Sequence, residues 1–447
     1  MLVASSLLVV CLSQCPAEVD QTPTTPDGLA GTSVAVDGDL AVIGAPIGTG
    51  NDWASGMAIV YRHVDNVWIR EAELIAEDGA VGDMMGVSVD VHNGRVIAGA
   101  WFNNHAGTNS GAAYIFEQVK GQWIQTTKLT ADDAAAQDTF GRRVAIDGDV
   151  CIVTAPLDDD NGSSSGSAYV YQFDGAWFQL QKLTAKTAVS GDQFGLGLAM
   201  DGERIVIGAP WAEDGKGRAH LFDRANVMFF ESEVFTDPNG ASMDNFSFGI
   251  DVEGDVVSIG SYLDDDIAPD AGSVFVFASG FAGWELLQHI EPSGKFNSDR
   301  QFGVSVSMTD SVMLVGSRYA LVDGVQAGDV TTYESENLYW QERSVIISPE
   351  PTLDAEFGWA VALDGDNGIV GGPWLEPDGE VRFYEGFIDS CGCIGDFDGD
   401  SVIGVSDLLQ LIGAWGNCDN CDEDLDSNGI VDVSDILLLI SSWGECQ

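Results

Sequence analysis

Basic residues are scarce in this chain. Of 447 residues only 18 are Lys or Arg, against 71 Asp or Glu, for a formal charge of −53. So acidic a surface repels nucleic acid phosphate and anionic lipid, which excludes both as partners; it suits calcium, cationic partners or salty water. Histidine is rarer still: His63, His92, His105, His220 and His289 share no register. No Ser–His–Asp arrangement, phosphate loop or metal–His motif emerges, and the catalytic option left open is a carboxylate pair of the kind that hydrolyses glycosides. Long apolar runs are missing too. Residues 2–12 form the one N-terminal run. It is too short to span a bilayer and fits the h-region of a signal peptide over residues 1–14, although no Lys or Arg precedes it. No other segment is a candidate to cross a membrane. Cysteine is sparse before residue 390: Cys11 and Cys15 lie in or beside the leader, and Cys151 reads as a small core residue. Cys391, Cys393, Cys418, Cys421 and Cys446 crowd the last 57 residues, a clustering that suggests a small stapled module outside the cytoplasm.

What the chain has is a repeat. Residues 140–183 hold four short apolar runs: Val144-Ala145-Ile146, Val150 to Val153, Ala168 to Tyr171, and Trp177 to Leu183. Asp147-Gly148-Asp149 separates the first two, a hairpin turn because it supplies positive φ. The glycine of Phe140-Gly141 recurs at Gly31, Gly86, Gly195, Gly249, Gly303 and Gly358, at intervals of 54 or 55 residues. Phe194, Phe248, Phe302 and Phe357 precede four of these glycines, with Ala30 and Met85 as apolar replacements. Strand two ends in Gly44-Ala45-Pro46, Gly208-Ala209-Pro210 and variants of that triplet, and Trp68, Trp123, Trp177, Trp284 and Trp340 announce strand four. Four strands in each of seven copies predict an all-β seven-bladed β-propeller over residues 15–385, since radial packing covers both faces of every sheet. A linear array would need capping units, which the sequence does not show. The seventh copy has no fourth strand of its own. Ala17-Glu18-Val19 aligns with Ala72-Glu73-Leu74, so residues near 15–20 are expected to close the ring.

These Phe-Gly pairs and Gly-Ala-Pro triplets resemble the FG-GAP repeats of integrin α-subunit propellers and of many bacterial surface proteins. The Asp-Gly-Asp turns here are too tight to wrap an ion, so the resemblance does not extend to integrin-type calcium loops. Asp158-Asp159-Asp160 and Asp264-Asp265-Asp266 read either as cation sites or as solvated loops. Asp83, Asp138, Asp192, Asp244, Asp299 and Asp354 precede most Phe-Gly pairs and are expected to accept backbone N–H groups in the turn. Trp101, Trp211 and Trp374 follow strand two, where they either pack in the core or form a rim that binds glycan or protein.

After a connector, residues 386–393, the pattern changes. Over residues 394–447 two gapless copies of a second motif start 28 residues apart, at Asp396 and Asp424. Oxygens at these spacings can surround two Ca2+ ions. The first set is Asp396, Asp398, Asp400, the Val402 carbonyl and Asp407. The second is Asp424, Asp426, Asn428, the Ile430 carbonyl, Asp432 and Asp435, with Gly429 at the turn. Ser401 and Gly404 replace the turn glycine and the ninth-position side chain, so the first site is expected to bind more weakly. Each loop runs into an apolar helix, Leu408–Trp415 or Ile436–Trp443. The module resembles a type I dockerin, a small α-helical domain of paired EF-hand-type loops. That resemblance implies docking to a cohesin-type or other surface protein through Ser406, Leu408, Ser434 and Ile436, beside Asp407 and Asp435. If a pseudo-twofold relates the halves, Cys418–Cys421 and Cys393–Cys446 would be equivalent disulfides; zinc binding through Cys391, Cys393, Cys418 and Cys421 is the other option.

The whole then reads as an exported extracellular or cell-surface protein of non-catalytic adhesion or scaffold type. Its propeller would offer loops to a protein or glycan, and its C-terminal module would anchor it. The alternative is a polysaccharide-degrading enzyme with its site in the propeller.

Overall fold

A computed structural model describes residues 17–19, 28–65, 67–293, 299–336, 339–375, 379–387, 402–417, 425, 430–441 and 444–445. The chain divides into two compact units: the propeller, Glu18–Phe383, and a second unit that contains the C-terminal segment from Tyr384.

The propeller consists of seven four-stranded antiparallel sheets. Blade three is typical, with strands Val144–Asp147, Val150–Ala155, Ser167–Phe173 and Trp177–Leu183. Asp147 pairs with Val150 across the Asp-Gly-Asp turn, as a two-residue hairpin requires. Strands three and four shift register between Val170 and Tyr171, and the same bulge recurs in blades one, two, four, five and six. A bulge sharpens local twist, and here it does so along the outer edge of each blade. The last sheet has the order Ala17–Val19, Glu380–Glu385, Asn367–Gly372, Ala360–Asp364, so a strand from before the first blade completes the seventh, as the alignment expects.

Apolar clusters sit between blades. One joins Val42, Val60 and Leu74 of blade one to Val89, Val96 and Tyr114 of blade two. Another closes the ring, bringing Ile43, Tyr61 and Trp68 of blade one against Ile369, Val381 and Phe383 of blade seven. There Trp68 stacks on Phe383 at 5.1 Å between centroids. Phe229, fully buried, takes the place of the strand-four tryptophan in blade four.

Backbone contact sets the blade spacing. A Cβ built on Gly99 of strand two would lie 2.0 Å from the carbonyl oxygen of Gly141 in the next blade, and one on Gly260 would lie 1.9 Å from that of Gly303. The contact recurs around the ring and closes it, with Gly371 against Gly31 at 2.3 Å. In blade five it corrects the alignment. The residue against Gly208 is Ser247, at 2.0 Å, not Gly249. Phe246 is the fully buried corner aromatic and bridges to Gly217, as Phe140 does to Gly111. Ser247 adopts the glycine's positive φ of 83°, and Phe248 is released toward the channel.

In the C-terminal segment two helices, Val405–Gly413 and Val433–Ser441, occupy equivalent positions in the two copies. Val402–Ile403 pairs with Gly444–Glu445, and Ile430–Val431 pairs with Gly416–Asn417. The strand after each loop thus pairs with the strand after the other copy's helix, a pseudo-twofold exchange. Leu411, Val431 and Leu439 form the small core. Of the cysteines, Cys151 is described and is a buried free thiol in blade three; the proposed pairs lie outside the described residues.

Gly260→Ala is expected to lower the unfolding free energy by about 3 kcal/mol, the upper end of overpacking costs, because the backbone it meets cannot swing away. Denaturant unfolding measures this; a stability within error of the parent would show that the blades do not depend on the contact.

Candidate functional site

The first strands of all seven blades line a central channel of about 460 Å³. Alternate side chains of each first strand reach the backbone of the next blade. Ser33 accepts the Val89 N–H at 2.9 Å and Ser88 the Val144 N–H at 3.1 Å. One step along the strand, Asp90 accepts from Ile146 at 2.7 Å and Asp251 from Met308 at 2.6 Å. At the turn, Asp37 accepts from Asn93, Asp147 from Gly202, Asp201 from Gly254 and Asp364 from Gly38, at 2.5–2.7 Å. The first Asp of each Asp-Gly turn is therefore a clamp on the neighbouring blade as well as a turn former. Sequence reasoning missed this ladder because donor and acceptor stand a full repeat apart. Burial pushes the carboxyls of Asp90 and Asp251 up to about 7, against the pull of the backbone N–H groups that both of them hold.

The other mouth, where the first strands begin, carries arginine and aromatic side chains. Arg142 lies over Trp101 at 5.0 Å, and Arg143 over Phe248 at 5.5 Å. Arg318 lies over Tyr262 at 5.5 Å and over Trp359 at 4.9 Å. Phe248 meets Tyr262 at 5.1 Å, which joins the two groups. Burial pushes the Arg142 guanidinium down to about 9, with Arg143 beside it adding to the shift, and pushes Arg143 down to about 10. Neither Arg142 nor Arg143 was singled out in the sequence. The cue was there: two adjacent cations in a very acidic chain.

A model of the FG-GAP repeat matches residues 68–116, 123–171, 177–222 and 229–277. Four of the propeller's repeat units match the FG-GAP repeat. Each matched stretch runs from strand four of one blade through strand three of the next, so the FG-GAP unit straddles two blades. Its Phe-Gly corner is the joint between them. No curated protein matches the chain.

In each of the two acidic loops the first carboxylate is buried rather than solvated. Asp158 is buried and accepts from the Tyr169 hydroxyl at 2.8 Å and from the Lys182 ammonium at 3.0 Å. Lys182 Nζ also holds Asp133 at 2.7 Å and Asp160 at 2.5 Å. An ammonium thus stands at the centre of the three carboxylates whose spacing would otherwise suit a metal. Burial works against the charge of Asp133, but the hydrogen bonds from Lys182 and Tyr169 prevail and hold its carboxyl below the ordinary value. In blade five Asp264 is buried likewise, bonded to Ser273 at 2.5 Å, with His289 at 3.8 Å.

The turn carboxylates behave as expected in four of six cases: Asp83, Asp138, Asp192 and Asp244 each accept the N–H three residues earlier. Asp299 and Asp354 stand three residues before their Phe rather than two, and instead take positive φ. Trp211 and Trp374 are exposed, whereas Trp101 is half-buried and stacks on Phe102 at 4.0 Å.

In the C-terminal segment Asp407 and Asp435 are both fully buried. Asp407 accepts the Gly404 N–H and Asp435 the Asp432 N–H, each at 2.7 Å, and Asp435 also accepts the Leu425 N–H at 2.8 Å. Asp432 caps its helix by accepting from the Ser434 N–H and hydroxyl, which hold its carboxyl below the usual range. Ser406 is exposed, and Leu408, Ser434 and Ile436 are half-buried. Val402 and Ile430 lie in the short paired strands. Asp396, Asp398, Asp400, Asp424, Asp426 and Asn428 lie outside the described residues, as do Cys393, Cys418, Cys421 and Cys446.

Two outcomes test this account. Lys182→Met should cost about 3 kcal/mol at pH 7, the scale of breaking a buried pair; denaturant unfolding reads it, and a stability within error of the parent would count against the cluster. Asp90 carries a folded-state value near 7 against an unfolded value near 4. Its contribution to stability is therefore fully present below about pH 4 and lost as pH rises to about 7. Asp90→Asn should flatten that part of the stability–pH curve, and an unchanged slope would count against it.

Proposed function

We propose that this is a non-catalytic secreted or cell-surface protein of adhesion or scaffold type. Its FG-GAP propeller presents one loop face to a protein or glycan, and its C-terminal module is a dockerin-like calcium-binding anchor for a cohesin-type partner. The observation that carries the first half is the loop face itself. Strand two ends, and strand one begins, at the same side of every blade, so the loops after strand two share that side. Trp53, Trp211 and Trp374 stand exposed in those loops. Exposed tryptophans on a rigid scaffold are typical of recognition surfaces. No helix among the described residues is long and apolar enough to cross a membrane. The frequent extracellular placement of FG-GAP proteins accords with export.

The anchoring half rests on the pseudo-twofold strand exchange and on the equivalent buried carboxylates Asp407 and Asp435. Calcium fits the donor set, which is carboxylate, amide and backbone oxygen throughout. Asp407 and Asp435 would each supply the last ligand of a loop.

The enzyme reading draws on the raised carboxyls of Asp90 and Asp251 in the channel, since such groups serve as general acids. Their hydrogen bonds to the backbone of two blades favour the structural role. The described histidine contacts point the same way: His92 meets Asp147, His220 meets Glu231, and His63 packs on Trp68.

Calorimetric titration of the full chain with calcium should show two sites, the weaker assigned to the first loop. A pull-down on a cohesin domain should then succeed with calcium and fail with EDTA. A chain that takes up no calcium and whose circular dichroism EDTA leaves unchanged would sink the anchoring half.

A further inference from the structure

Nine of the twelve arginines pair with a carboxylate: Arg62, Arg70, Arg95, Arg204, Arg218, Arg224, Arg300, Arg343 and Arg382. Arg142, Arg143 and Arg318 form no such ion pair among the described residues, although the charge of Arg318 acts on the nearby Glu356 carboxyl. In a chain with 71 acids this is unusual, and all three stand at one mouth of the channel. The guanidinium of Arg142 has no hydrogen-bond partner among the described residues. Arg143 spends only Nε, on the Leu196 carbonyl at 2.9 Å, and Arg318 spends only Nε, on Gln301. Their remaining N–H groups are donors in search of an acceptor. A half-buried guanidinium with no counter-ion, as at Arg142 and Arg143, carries a desolvation cost that an anion relieves.

The rings around them narrow the choice. Phe248, Trp359 and Arg143 line the channel, and Trp359 is fixed by its indole N–H on the Thr32 carbonyl at 3.1 Å. Half-exposed aromatic faces between forked donors suit a flat ligand with apolar C–H faces and one carboxylate at its edge, which is the chemistry of a uronic acid sugar. The ligand's charge must be small. A net charge of −53 repels a polyanion, and the far mouth presents Asp37, Asp147, Asp201, Glu253 and Asp364.

We propose that the arginine mouth of the channel binds the terminal uronate of an otherwise neutral glycan. Arg143 and Arg318 hold the carboxylate, and Phe248 and Trp359 cover the sugar ring. This specifies the ligand of the loop face and rests on the reading of the propeller as a glycan binder.

The test is calorimetry of the full chain with a glucuronate-terminated disaccharide and its neutral counterpart. The acidic sugar should bind at least tenfold tighter than the neutral one. Arg318→Gln and Arg143→Gln should each weaken it about tenfold while leaving the thermal melt in place, and Arg318→Lys should recover part of the loss. Equal affinity for both sugars, no binding of the acidic one, or indifference to both Gln variants would overturn the assignment. So would an aspartate-bearing peptide that binds the arginines in place of the uronate. Binding of the neutral sugar alone would leave the adhesion reading standing and remove this one; cleavage of the bound disaccharide would remove the adhesion reading and leave the site.

Discussion

The structure depends on a contact in which no side chain takes part. In six of the seven blades a strand-two glycine lies against a carbonyl of the next blade's Phe-Gly corner, at a distance that leaves no room for a Cβ, as at Gly99 or Gly260. That approach sets the spacing of the blades and brings their inner strands close enough for Ser33, Asp90 and Asp147 to reach the neighbouring backbone. The apolar clusters between blades then fill the remaining volume. Blade three reaches the same end differently: Thr154 replaces the strand-two glycine, and its hydroxyl accepts the Arg143 N–H at 3.0 Å.

Charge is placed with equal economy. With so few cations available, one ammonium is shared by three carboxylates at Lys182, and Arg95 serves both Glu117 and Asp149 while lying over Phe173. Against that background, leaving Arg142 and Arg143 without a carboxylate partner at one mouth is a costly arrangement. It gives the channel two unlike ends, a carboxylate ring at the turns and a cationic, aromatic mouth at the Phe-Gly corners.

Much of the fold was legible because its signals are local and periodic. A turn at Asp147-Gly148, an apolar run of strand length and a tryptophan at strand four each report on their own neighbourhood, and their recurrence reports the ring. The misreading in blade five shows the limit. Phe246 and Phe248 are both aromatic, and the glycine after Phe248 outweighed the better cue, Asp244 placed two residues before Phe246 just as Asp138 is before Phe140. Asp158 was misjudged for a related reason. Three consecutive acids look solvated, and only Lys182 on strand four shows why the first of them turns inward. In the C-terminal segment the gapless repeat announced the twofold, which the strand exchange then displayed.

The sequence by itself determined the repeat length, the number of blades, the hairpin turns and the candidate calcium positions, since each follows from neighbours along the chain. Tertiary structure alone decided which side chains meet across blades. Arg143 and Phe248 come together because the ring folds distant residues onto one mouth. Asp147 holds Gly202 because radial packing sets one repeat against the next. No local pattern encodes either pairing; both appear when backbone contact fixes the angle between sheets.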